Sequence, residues 1–156
     1  MRARTLAAAV AATAALAVAG CGGGSSKPAA LSHAELTKQA NAACAAASAR
    51  VRSLRAPTAL AGLHEYAGSV QSIGTELSGK LDALTPPEAD RTKLDAYRAA
   101  LKQANAIAGE LADAAGSDDK TAVRSASDRL AESNLGVLAA RAGLAQCATA
   151  VTLTST

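Results

Sequence analysis

The side chains equipped for chemistry are few. Three cysteines stand at Cys21, Cys44 and Cys147, and two histidines at His33 and His64. A thiol can carry an acyl group, pair as a disulfide or ligate a soft metal. Metal ligation needs convergent donors, and neither histidine has a partner at metal-ligand spacing. His33 opens a helix and is expected to be solvated; His64 has only Glu65 beside it. The sequence lacks Cys-x-x-Cys-His, and its one methionine is Met1, so haem ligation has no support. Glu-x-x-His pairs for a di-iron bundle, a Gly-x-Ser-x-Gly elbow and a phosphate-cradling loop are also missing. No catalytic residue, metal ligand or cofactor is assigned.

The surroundings of Cys21 are distinctive. Met1-Arg2-Ala3-Arg4 is positively charged, and Leu6 to Ala19 is apolar. That run is shorter than the roughly 20 residues a membrane-spanning helix needs. Leu16-Ala17-Val18-Ala19-Gly20 then leads directly into Cys21, followed by Gly22-Gly23-Gly24-Ser25-Ser26. This arrangement resembles the lipobox of bacterial prolipoproteins. The resemblance implies a signal peptide over residues 1–20 and cleavage before Cys21. It also implies a thiol carrying diacylglycerol with palmitate-type chains, and anchoring to the outer face of the cell membrane. Where a second membrane exists, the periplasmic side of the envelope is the equivalent place. Two or three acyl chains suffice for stable anchoring. The alternatives are a soluble secreted protein or an uncleaved N-terminal helix. Residues 21–30 read as the lipidated cysteine and a short flexible tether, reaching roughly 15 Å.

Hydrophobic residues make up 49% of the chain, yet it has no Phe, no Trp and two Tyr. Alanine dominates the apolar content. Alanine favours helix, whereas strands favour β-branched and aromatic residues, so an all-α fold is expected. Small side chains bury little area, so the core is thin and gains from close helix approach or a covalent staple. Arg2 and Arg4 belong to the 16 basic side chains, so the remainder nearly balances the 13 acidic ones. Such a surface gives no nucleic-acid footprint.

Residues 31–151 divide into four helical segments, with a frayed tail over 152–156. The first has a capping-box pattern at Ser32 and Glu35, and an apolar stripe of Ala40, Cys44, Ala47, Val51 and Leu54. Arg50, Arg52 and Arg55 complement its carbonyl end, and Pro57 stops it. The second, about Thr58 to Leu84, carries Leu63, Ala67, Val70, Gly74, Leu77, Leu81 and Leu84, with a Glu76–Lys80 surface pair. Its glycines lower helix propensity or permit close helix contact. Thr85 and Glu88 repeat the capping pattern. The third segment presents Leu94, Tyr97, Leu101, Ala104, Ala108, Leu111 and Ala115, and Gly116 is a natural C-terminal cap. Ser117-Asp118-Asp119 caps the fourth, whose face is Val123, Ala126, Leu130, Val137, Ala140, Leu144 and Cys147. Asn134 falls near that seam as a register device. Short connections predict an antiparallel up-down-up-down four-helix bundle; a three-helix bundle with an irregular second segment is the alternative.

With Cys21 taken by lipid, Cys44 and Cys147 form a disulfide candidate on neighbouring apolar stripes. Straight helices starting level would hold them more than about 20 Å apart. The bond therefore calls for a break at Gly143, a bend near Asn134-Leu135-Gly136 or a staggered second segment. The alternatives are two buried thiols or a bridge between chains. The five residues Lys38 to Ala42 recur as Lys102 to Ala106, but the second and fourth segments do not match at that offset, so the repeat does not argue for duplication.

The whole pattern resembles small Ala-rich helical lipoproteins of high-GC bacteria. Asn41-Ala42-Ala43-Cys44 and Gly143-Leu144-Ala145-Gln146-Cys147 carry that likeness, which brings no assigned activity. The expectation is a non-enzymatic, lipid-anchored envelope module that engages an envelope protein or cell-wall partner. A small-ligand carrier or sensor with a pocket between helices is the alternative.

Overall fold

Ala-rich segments punctuated by Ser, Pro and Gly fold as helices here because little else competes with local helix propensity. The computed structural model describes residues 29–152. Among them lie six helices and no strand: α1 (His33–Ser53), α2 (Leu60–Asp82), α3 (Glu88–Gly116), α4 (Lys120–Ala131), α5 (Leu135–Arg141) and α6 (Ala145–Thr152). The described residues are all-α, as the composition leads one to expect.

The first three segments each form one helix. Ser32 caps α1 by accepting from the Glu35 amide at 3.2 Å. Glu35 does not complete the capping box; its carboxylate accepts from the Gln39 side chain instead. The helix ends at Ser53, ahead of Pro57, and Leu54 is already extended. Two other expected features fail. Pro87, not Thr85, caps α3, with no side-chain hydrogen bond. Glu76 pairs with Arg50 of α1 rather than Lys80, because the α1–α2 packing brings the longer, forked guanidinium to it.

The end of α3 departs from expectation in detail. Gly116 is its last residue, and Asp118 takes the left-handed turn at φ 57°. The Asp118 amide donates to Ala115 and the Asp119 amide to Ala114, a complete Schellman closure. Asp119 then caps α4, its Oδ1 accepting from the Thr121 and Ala122 amides at 3.0 and 2.9 Å. One short segment thus ends one helix and starts the next.

The fourth segment is the main correction. It is not one rod but three helices, broken at Glu132–Asn134 and again at Ala142–Leu144. The first break resets the helical phase. Val137 is 53% exposed and Ala140 is exposed, while Leu135 and Ala139 turn inward. Asn134 is no register device: it is exposed at the start of α5 and makes no side-chain capping bond. The second break is a Schellman turn on Gly143, at φ 74°, with Leu144 donating to Ala139 and Gly143 to Ala140. A side chain at that φ would be strained.

Two apolar clusters result. The larger joins Leu36, Ala40 and Cys44 of α1 to Leu77 and Leu81 of α2, Leu94, Tyr97, Leu101 and Ala104 of α3, and Leu135, Ala139, Leu144 and Cys147. The smaller gathers Ala67, Ile107, Leu111, Ala112 and Ala126 where α2, α3 and α4 meet. Every residue expected on the α3 face is buried.

Candidate functional site

Of the residues singled out for chemistry, Cys21 lies outside the described residues. Cys44 and Cys147 are brought together as a disulfide, with Cα atoms 5.0 Å apart across 103 residues of chain. Both helix breaks contribute. The division at Glu132–Asn134 and the turn on Gly143 fold the fourth segment back, so that α6 meets the middle of α1. Both cysteines are 1% exposed.

The bond sits in a small built environment. The Tyr97 hydroxyl lies 4.0 Å from Cys44 Sγ, and burial pushes the phenol up to about 12. Ser48, one turn beyond Cys44, returns its hydroxyl hydrogen to the Cys44 carbonyl at 2.9 Å. Asn41 Oδ1 accepts from the Gln146 amide at 2.9 Å. Asn41 is thereby an N-terminal cap for α6 supplied from another helix. Local sequence gives no sign of this, because the capped amide is 105 residues away.

A second polar feature runs between α2 and α3. His64, Gln71 and Ser78 recur at heptad spacing on α2, and Arg98, Asn105 and Ala112 at the same spacing on α3. His64 Nδ1 donates to the Ala112 carbonyl at 2.8 Å and lies against Gly116. Gln71 lies against Gly109. Asn105 lies against Gly74 and donates to Ser78 Oγ at 3.0 Å. A methyl group at Gly74 would overlap the Asn105 carboxamide. Arg98 closes the row by donating to the carbonyls of Leu81, in the last turn of α2, and of Leu84, just past its end. It also pairs with Asp95 at 2.9 Å and lies 3.7 Å from Asp82. Polar side chains that fit only opposite small residues favour one register over its neighbours. The two copies of Lys-Gln-Ala-Asn-Ala share this logic. Ala40 and Ala104 are buried, and Asn41 and Asn105 both bond across to another helix.

The remaining candidates are structural. His33 is exposed, as expected, and its Nδ1 lies 2.7 Å from Asp90 Oδ2, joining the start of α1 to that of α3. No group of three or more His, Cys, Asp and Glu side chains among the described residues is arranged to hold a metal. Arg50 is committed to Glu76, whose carboxyl is held below its ordinary range by that hydrogen bond. Tyr66 is half-buried in a groove of about 360 Å³ beside Leu54, Pro57 and Glu65. A second groove, about 380 Å³, is lined by Thr75, Ser78, Gly79, Asp82, Lys102 and Asn105. Lys102 already pairs with Asp82 there, at 2.9 Å.

Comparison with protein families, characterised proteins and solved structures returns no match. No helix among the described residues is long and apolar enough to cross a membrane.

Proposed function

We propose that this chain is a lipid-anchored protein of the bacterial cell envelope, and that its helical domain is a non-enzymatic interaction or adaptor module. The observation that carries this reading is the division of labour among the cysteines. Cys44 and Cys147 are bonded to each other, and Cys21 is the remaining thiol, directly after Leu16-Ala17-Val18-Ala19-Gly20. Disulfides persist in oxidising compartments, which agrees with export. Lipidation through Cys21 then gives the membrane contact that no described helix provides, on the outer face or its periplasmic equivalent.

We read the domain as an antiparallel four-helix bundle whose fourth column is divided into α4, α5 and α6. Partner recognition falls to its surface, toward an envelope protein or a cell-wall component, with no role for nucleic acid. The carrier alternative calls for a continuous apolar cavity of about 300 Å³ or more. The two grooves named above are open to solvent and carry charged or polar walls, so the adaptor reading is preferred.

Labelling with a fatty acid tests the anchor. The native chain should incorporate label and pellet with membranes, and Cys21→Ala should do neither. A Cys21→Ala form that stays membrane-bound, with no label on the native chain, overturns it. Crosslinking of the anchored protein in its own membrane, compared with Cys21→Ala, then identifies the partner.

A further inference from the structure

We infer that α5 and α6 form a strap locked by the Cys44–Cys147 bond, which a dithiol reductant releases while the body built from α1 to α4 stays folded. The strap is the least self-sufficient part of the domain. Helices of seven and eight residues do not persist alone in water, because nucleation costs more than so few hydrogen bonds return. Each end of α5 is a break, at Glu132–Asn134 and at the Gly143 turn, so opening needs no disruption inside a longer helix. The α5 start also lacks a side-chain cap.

What holds the strap is tertiary. Helix α6 lies on α1 and α5 lies on α3. Leu135, Ala139, Leu144 and Cys147 enter the larger cluster, and Asn41 caps α6 from α1. The strap therefore spans from α1 to α3, its buried residues sharing one cluster with Ala40, Leu94 and Tyr97. The body has separate ties: the α2–α3 polar row, the Arg50–Glu76 pair and the Asp119 cap. None of these involves the strap.

The exchange is balanced. One thiolate of the dithiol attacks a sulfur of the bond, and the other cysteine leaves as a thiolate that takes up a proton. The second thiol of the reductant then attacks the mixed disulfide, closes the reductant's own disulfide and frees the second cysteine. Two electrons pass from the dithiol to the cystine. Both sulfurs are buried, so attack follows transient opening of the strap. The released form uncovers that part of the larger cluster into which Leu135, Ala139, Leu144 and Cys147 pack in the oxidised form.

The inference stands on the folded domain and is independent of Cys21. Its test is hydrogen exchange on the full chain with and without dithiothreitol. Amides of 135–152 should lose nearly all protection, while those of α2 and α3, lowered by the lost crosslink, should still exchange at least about a hundredfold more slowly than an unfolded chain. Equal loss everywhere would mean the bond staples the whole fold, and no loss in 135–152 would mean packing alone holds the strap; either overturns it. Asn41→Ala should speed reduction of the native bond about fivefold, the factor a lost cap gives. An unchanged reduction rate removes the opening step on which the inference depends.

Discussion

At one end of the domain Leu81, Leu94, Tyr97, Leu101 and Leu144 close around a disulfide. At the other, Ala67, Ala112 and Ala126 meet around Ile107 and Leu111. The first end buries large side chains from five helices and is crosslinked. The second has three helices and mostly methyl groups, and relies on geometry at helix ends: the Asp118 turn, the Asp119 cap and the His64–Ala112 bond. Leu130 packs against both. The contrast shows two ways to hold an Ala-rich helical domain, by volume and crosslink or by register and capping.

The sharpest way to break that contrast is to remove the crosslink. Replacing Cys44 and Cys147 together by Ala should lower unfolding free energy by up to about 4–5 kcal/mol, the chain-entropy value for a loop near 100 residues. Urea unfolding of the full chain measures it. A loss below about 1 kcal/mol would mean the larger cluster holds itself together. Next come paired truncations. Leu94→Ala should fall in the upper part of the usual range of about 2–5 kcal/mol and Leu111→Ala in the lower part, since Leu111 sits beside alanines and nearer to solvent. Equal losses would erase the difference between the ends.

Tyr97 gives the larger cluster a pH signature. Its phenol is raised from about 10 to about 12 by burial, so the fold favours the protonated form. The stability this contributes is complete below pH 10 and is lost as pH rises through about 12. Titration of tyrosinate absorbance should show one phenol ionising only as the domain unfolds.

The lean end answers to smaller changes. Asp119→Ala should cost about 0.5–2 kcal/mol by leaving the Thr121 and Ala122 amides uncapped. Asp118→Gly should raise stability by up to about 1 kcal/mol, because glycine takes a positive φ without a Cβ clash. A thermal scan that moves the same way for both would show that this connection is not held by its caps. The smallest effect belongs to Arg50–Glu76, an exposed pair. Glu76 is held below its ordinary range by the Arg50 hydrogen bond. Its contribution is present above the unfolded carboxylate range and disappears as pH falls through the folded one. Added salt should reduce it further.

Much of this was legible residue by residue. Helices α1 to α3 begin and end within about four residues of the positions that Ser32, Pro57, Pro86-Pro87 and Gly116 mark, and the buried face of α3 follows from its spacing alone. These features depend on neighbours within about four residues, which local periodicity and capping reflect. The pairing of Cys44 with Cys147 was readable as chemistry but not as geometry. The parts that escaped are those whose partners lie far along the chain. Nothing near Glu76 points to Arg50 over Lys80, nothing near Asn41 points to the Gln146 amide, and nothing near Arg98 points to the Leu81 and Leu84 carbonyls.

By itself the sequence determined the helical character of the described residues, a thin alanine core and one pair of thiols for a crosslink, with a third cysteine directly after a short apolar run. Only the tertiary structure decided how the fourth segment divides, which way Val137 and Leu135 face, and that α6 meets the middle of α1. The reason is one of scale. Helix propensity and amphipathic spacing are summed over a few residues, but phase after a break is set by whichever face the packed neighbours leave open. In this chain the neighbours are α1 and α3, and the phase they select brings Cys147 to Cys44.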